Sequence, residues 1–238
     1  MINKREIKLI NSLKRKKNRI EEGLFIVEGE KNVQELMLSD FEILDIYATD
    51  EWLTDFDHIK VSPKDLDRIT SLSTPNKVLA VVKIPNLSSI NTRITSLVID
   101  GVNDPGNLGT IIRTANWFGI NQVICSNNSV DKFNPKVIMA SMGSVFQTNV
   151  LYTDLHKFLS DSKLPIYGAL LEGESIYHVK IKNPCSLLLG SESHGISKEL
   201  TPLITNKTTI PGGANTESLN LGVSTAIYCS EYFKQNSI

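Results

Sequence analysis

Asp104, Pro105, Gly106, Asn107 and Gly109 crowd into the run LVIDGVNDPGNLGTIIRTA, residues 97–115, between an apolar strand and the start of a helix. These are turn and helix-start residues. Such a turn leaves backbone N–H groups unpaired at a helix N-terminus, where a polar ligand can be held. Leu108, Ile111, Ile112, Ala115 and Phe118 then recur at three- and four-residue steps, which makes one buried stripe. At about 100° per residue, Arg113 falls opposite that stripe, open to a cleft or to solvent. On periodicity alone a solvated arginine is the plainer outcome.

Two further runs have the same character. In LLLGSESHGIS, residues 187–197, Gly190 and Gly195 bracket a turn that carries Glu192. Glycines there let backbone approach a ligand closely, although a surface carboxylate is the usual state of a glutamate. In IPGGANTESLNLGVSTA, residues 210–226, Gly212-Gly213 loosens a loop before the last helix. That helix is expected to begin at Glu217 or Ser218, with Leu219, Val223, Ala226 and Ile227 inward. Helix capping competes with any chemical role for Ser218 and Asn220. Each run follows the C-terminal end of an expected strand, where open α/β sheets bind ligands. The chain has neither GxGxxG nor GxxxxGK[ST], so neither an ordinary dinucleotide site nor a P-loop is supported.

The elements that must carry these turns form two α/β stretches. In the first, residues 1–20 suit a helix, 24–27 a strand, 31–38 a helix, 43–48 a strand, 63–70 a helix and 78–83 a strand. Residues 84–93, IPNLSSINTR, are rich in Ser, Asn and Pro and lack periodicity. The reading is therefore a small domain over 1–83, a linker over 84–94 and a second domain over 95–238. In the second, strands are expected at 96–100, 121–125, 166–171, 186–190 and 207–210, with helices at 107–118, 134–141, 153–160 and 218–234. That alternation implies a mostly parallel sheet covered by helices on both faces.

The 238 residues carry a net charge of −1, which gives no global argument for nucleic acid. Locally, Lys14, Arg15, Lys16, Lys17 and Arg19 bunch near the N-terminus, which points to phosphate contacts over a merely solvated helical face. Three cysteines, far apart in apolar surroundings, read as reduced core residues. Four histidines show no metal spacing. No secretory signal or long apolar span is evident, so a cytoplasmic protein without membrane or metal is expected.

Taken together, DPGNLGTIIRTA, LLLGSESHGIS and IPGGANTESLNLGVSTA resemble the three motifs of the SpoU/TrmH-type RNA 2′-O-ribose methyltransferases of the SPOUT superfamily, over about residues 95–235. Residues 1–83, chiefly RIEEGLFIVEGEKNVQEL at 19–36, resemble the L30e-like substrate-binding domain that many members carry. The resemblance implies a C-terminal parallel-sheet SPOUT domain with a deep trefoil knot, which no bottom-up argument would propose. It implies S-adenosylmethionine as cofactor and a homodimer. Matched position by position, Arg113 would activate the ribose 2′-hydroxyl and Asn107 would support that geometry. Glu192 would fix the arginine and its loop, and Ser218 and Asn220 would stand beside the methyl donor. Leu189, Gly190, Gly195, Ile210 and Leu219 would line the cofactor site, largely through backbone. Ser193 stands where a glycine is common, and Gly212 where a methionine is common. The implied activity is 2′-O-methylation of RNA, ribosomal RNA before transfer RNA; the alternative from another class is a non-catalytic RNA-binding assembly factor of the same fold.

Overall fold

Apolar alternation in both halves of the chain resolves into two sheets, each with its own helices. A computed structural model describes residues 2–72, 74–86, 88–213 and 217–236. It divides into one unit of Met1–Leu87 with Asp131–Phe146, and another of Ser88–Val130 with Gln147–Ile238.

In the first unit the basic N-terminal stretch is two helices, α1 (Lys4–Ser12) and α2 (Lys16–Glu22). A single helix over 1–20 is not formed. Asn3 and Glu6 make a reciprocal capping box at the start of α1, and Leu13, fully buried, is its C-cap at the turn before α2. Gly23, at φ 67°, ends α2 and releases the chain into β1 (Leu24–Glu28). There follow α3 (Glu30–Met37), β2 (Ile43–Ala48), β3 (Ile59–Lys60), α4 (Pro63–Ile69) and β4 (Val78–Lys83), with sheet order β1-β4-β2-β3. The β1–β4 and β2–β4 pairings are antiparallel, and the short β3, which periodicity did not reveal, runs parallel to β2. Ile10, Leu13, Ile26, Tyr47, Leu66, Ile69 and Leu79 share one core.

In the second unit β5 (Ser96–Asp100), α5 (Pro105–Trp117) and β6 (Gln122–Ser126) precede the excursion through residues 131–146. That excursion includes α6 (Pro135–Ser141). Its aromatic residues explain its company: the Phe133 ring stacks on Phe25 at 4.3 Å, and Phe146 meets Phe41 edge-on at 5.4 Å. The chain then continues as β7 (Asn149–Thr153), α7 (Leu155–Ser160), β8 (Ile166–Ser175), β9 (Ser186–Gly190), β10 (Asn206–Thr209) and α8 (Leu221–Asn236). The six strands are parallel, in the order β10-β8-β9-β5-β6-β7. β7 was not among the expected strands, because Asn149, Tyr152 and Thr153 interrupt its apolar run.

Strand order reverses between β5 and β9. From β5 the chain adds β6 and β7 on one side, whereas β8 and β10 lie on the other, with β9 inserted beside β5. Loops leaving β5 and β9 therefore open side by side at a topological switch point.

Candidate active site

The two loops at that switch point are short and held at their bases. Asp104 caps α5 by accepting the Asn107 N–H at 2.8 Å, with Pro105 preset for the first helical position. The loop after β9 folds back so tightly that a Cβ on Gly190 would lie 1.9 Å from the Gly195 carbonyl carbon. Asp100, at the end of β5, accepts the Ser197 N–H at 2.7 Å and ties the far side of that loop to the sheet. Ser126 Oγ accepts the Gly101 N–H at 2.9 Å. Sequence reasoning missed Asp100 and Ser126. Their only signal was a polar residue at the last position of an apolar strand.

Within this frame three side chains converge. Asn107 and Asn220 each donate an amide N–H to the same oxygen of Glu192, Oε1, Asn220 at 3.0 Å. Asn220 also donates to Asn107 Oδ1 at 3.1 Å. Asn220 Oδ1 accepts the Val223 N–H at 3.3 Å, so this side chain caps α8 as well as reaching the carboxylate. The expected choice between capping and site chemistry is thus no choice for Asn220. The Glu192 carboxylate rests beside the N-terminal turns of α5 and α8, where helix dipoles favour negative charge. Gly222 permits the approach of the two helices: a Cβ there would come within 3.1 Å of Thr110 Cγ2.

Arg113 is exposed on α5 and makes no hydrogen bond or ion pair among the described residues. The expected bond from Glu192 to this arginine is not present among the described residues. The carboxylate takes two asparagine amides, and Arg113 sits six residues beyond Asn107, about 9 Å along the helix axis. Ser218 is exposed and has no hydrogen bond to a described residue. Residues 214–216 of the third run lie outside the described residues.

The last helix begins at Leu221, three residues later than the latest expected Ser218, because Asn220 is its cap. Its buried residues include Leu221, Thr225, Tyr228, Cys229 and Tyr232. Leu219 and Val223, expected inward, are 46% and 49% exposed. Of the cofactor candidates, Leu189 has its side chain in the core and offers only backbone, whereas Ile210 is half-buried. Gly195 is exposed at φ 65°, a conformation glycine adopts without strain.

The basic cluster is sorted by the first unit's own packing. Lys14 Nζ donates to Asn11 Oδ1 and to the Thr70 carbonyl, each at 2.6 Å. Desolvation lowers its pKa against an opposing pull from Glu28. Arg19 is 2% exposed; its Nε donates to Asp131 Oδ2 at 2.9 Å and its Nη1 to the Leu13 carbonyl at 2.9 Å. Arg19 is enclosed by these bonds, whereas Lys14 is half-buried with two of its three N–H donors taken. Arg15, Lys16 and Lys17 are exposed.

No group of acidic, histidine or cysteine side chains that could hold a metal occurs among the described residues, and no described helix is long and apolar enough to cross a membrane. Residues 95–230 match the SpoU rRNA Methylase family, and residues 4–80 match the MRM3-like substrate binding domain. The 23S rRNA (guanosine(2553)-2'-O)-methyltransferase RlmP of Bacillus subtilis is 29% identical over 232 residues, 93% of each chain. A TrmH-family protein from Porphyromonas gingivalis has a similar structure, with TM-score 0.90 and 35% identity over 99% of this chain and 100% of that one. An AdoMet-bound rRNA methyltransferase from Sinorhizobium meliloti aligns at TM-score 0.86 and 27% identity, over 99% and 97% of the two chains.

Proposed function

Because the chain belongs to the SpoU rRNA methylase family, we propose that it transfers a methyl group from S-adenosylmethionine to a ribose 2′-hydroxyl of ribosomal RNA. The observation that carries this reading is the carboxylate of Glu192 bridging Asn107 and Asn220 at the switch point of a parallel sheet. The residues present fit the cofactor. Half-buried Ile210 and exposed Leu219 offer apolar surface to a ring, and the end of β9 offers backbone groups. When bound, S-adenosylmethionine supplies an electrophilic methyl group on a cationic sulfur.

The protein's part is to orient the hydroxyl and ease the loss of its proton. An arginine side chain titrates far above neutrality, and deprotonating one at pH 7 costs roughly 7–9 kcal/mol. A guanidinium is better suited to bind the ribose-phosphate and stabilise negative charge as it develops on oxygen. Arg113, exposed and without a protein partner among the described residues, has both faces of its fork open for that role. The proton then leaves to phosphate or water. Asn107, Glu192 and Asn220 hold the starts of α5 and α8 together, and Ser218 borders the same loop.

Of the expected basic cluster, Arg15, Lys16 and Lys17 are exposed and open to RNA phosphates, which supports a substrate-binding role for the first unit. Exposed Trp117, Val223 and Phe233 in the second unit support burial against another copy of this chain. The homodimer, the deep trefoil knot and a cytoplasmic location belong to the same proposal. Calorimetry with S-adenosylmethionine tests the enzyme reading: no heat at millimolar cofactor favours the non-catalytic RNA-binding alternative. Mapping ribose methylation in ribosomal RNA from cells lacking the protein tests the substrate.

A further inference from the structure

The loop that carries Glu192 is a closed five-residue turn. Ser191 N–H donates to the Gly195 carbonyl at 3.1 Å, and Gly195 N–H returns the bond to the Ser191 carbonyl at 2.9 Å. The His194 N–H donates to Ser191 Oγ at 3.3 Å. Below the turn, the close contact of Gly190 with Gly195 and the Ser197–Asp100 bond fix its base. Glu192, Ser193 and His194 form its exposed crest. Glu192 turns to the two asparagines, so the direction of one crest residue is already set.

His194 lies two residues further on, which keeps its Cα within about 7 Å of that of Glu192. Ser193 Oγ is 2.6 Å from His194 Nδ1. The Ser193 hydroxyl can donate to Nδ1 or accept from it; with the hydroxyl as donor, the ring proton lies on Nε2, which is then the ring's free donor. Nε2 has no hydrogen bond among the described residues. The run 187–197 contains no lysine or arginine, yet it places a carboxylate at a site that must receive a polyanion. A donor on the same rigid crest offsets the repulsion between that carboxylate and an approaching phosphate.

We propose that His194 is a further substrate-contact residue, its Nε2–H donating to a phosphate oxygen beside the target ribose, with Ser193 as the positioning residue that sets the ring. The proposal rests on the methyl-transfer reading given above. No bond is made or broken by the imidazole.

The test is transfer of labelled methyl from S-adenosylmethionine to ribosomal RNA purified from cells lacking the protein. His194→Ala should raise KM for RNA about tenfold, the worth of one hydrogen bond to a charged acceptor. Turnover at saturating RNA and calorimetric affinity for S-adenosylmethionine should stay within about twofold. His194→Gln, which keeps a donor, should recover part of the loss. Ser193→Ala should raise KM about threefold and Ser193→Thr should restore it. An unchanged KM in His194→Ala overturns the proposal, as does a fall in turnover alone or a parallel loss of cofactor affinity. Wild-type protein that neither binds cofactor nor methylates RNA overturns the underlying reading instead, and the proposal with it.

Discussion

Two asparagines and one glutamate are joined by three side-chain hydrogen bonds, and their coupling is measurable. Removing either end of the Asn107–Glu192 bond exposes the same loss, so Asn107→Ala and Glu192→Ala should each lower kcat/KM, while the double variant is less impaired than the product of the two by about tenfold. Strict additivity in that cycle would show that the bond has no catalytic consequence. Arg113 calls for a different comparison. If the planar fork stabilises developing charge, Arg113→Lys should lose about a hundredfold in turnover and stay impaired at pH 9. A simple base would instead recover with alkali, since lysine releases its proton more readily than arginine. At this scale the sequence was informative about identity and less so about partnership. Asn107, Glu192 and Asn220 could be picked out from their runs. That Glu192 engages two amides and leaves Arg113 unpaired depends on where α5 and α8 begin, which periodicity does not specify.

At the scale of elements, turn chemistry sets the site. Gly190 has no room for a side chain, because the loop it opens closes onto it through backbone atoms of Gly195 and Ile196. Gly190→Ala should therefore cost about 1–3 kcal/mol in denaturant unfolding, and should weaken binding of S-adenosylmethionine more than Gly212→Ala, where a Cβ meets nothing within 4 Å. Equal effects of the two substitutions would contradict the close-packed loop. Strands β5 and β9 were legible because their apolar runs are unbroken and end in glycine or aspartate. β7 was hidden by polar residues, and α1 and α2 read as one helix because Leu13 continues the apolar stripe through the turn that separates them.

At the scale of the whole molecule, charge that looked uniform in the sequence divides by burial. Neutralising Arg15, Lys16 and Lys17 together should weaken binding of ribosomal RNA and flatten its salt dependence by up to about three phosphate contacts, with cofactor affinity unchanged. An equal loss of cofactor affinity would contradict that division of labour. Arg19→Met should behave otherwise. It strands Asp131 beside an apolar core, and the cost should be about 3–5 kcal/mol of stability, read as a lowered unfolding midpoint with the RNA salt slope unaltered. A changed salt slope at full stability would return Arg19 to the RNA surface. The sequence could not separate these two fates, since the partner of Arg19 lies 112 positions away.

The excursion of residues 131–146 into the first unit bears on how such a protein can be rearranged by exchange of modules. Replacing the opening 87 residues with a foreign recognition domain would orphan the Phe133 and Phe146 rings and the Asp131 carboxylate at one stroke. A viable chimera must carry over the later stretch as well, so inheritance of the first unit is tied to two separate pieces of chain.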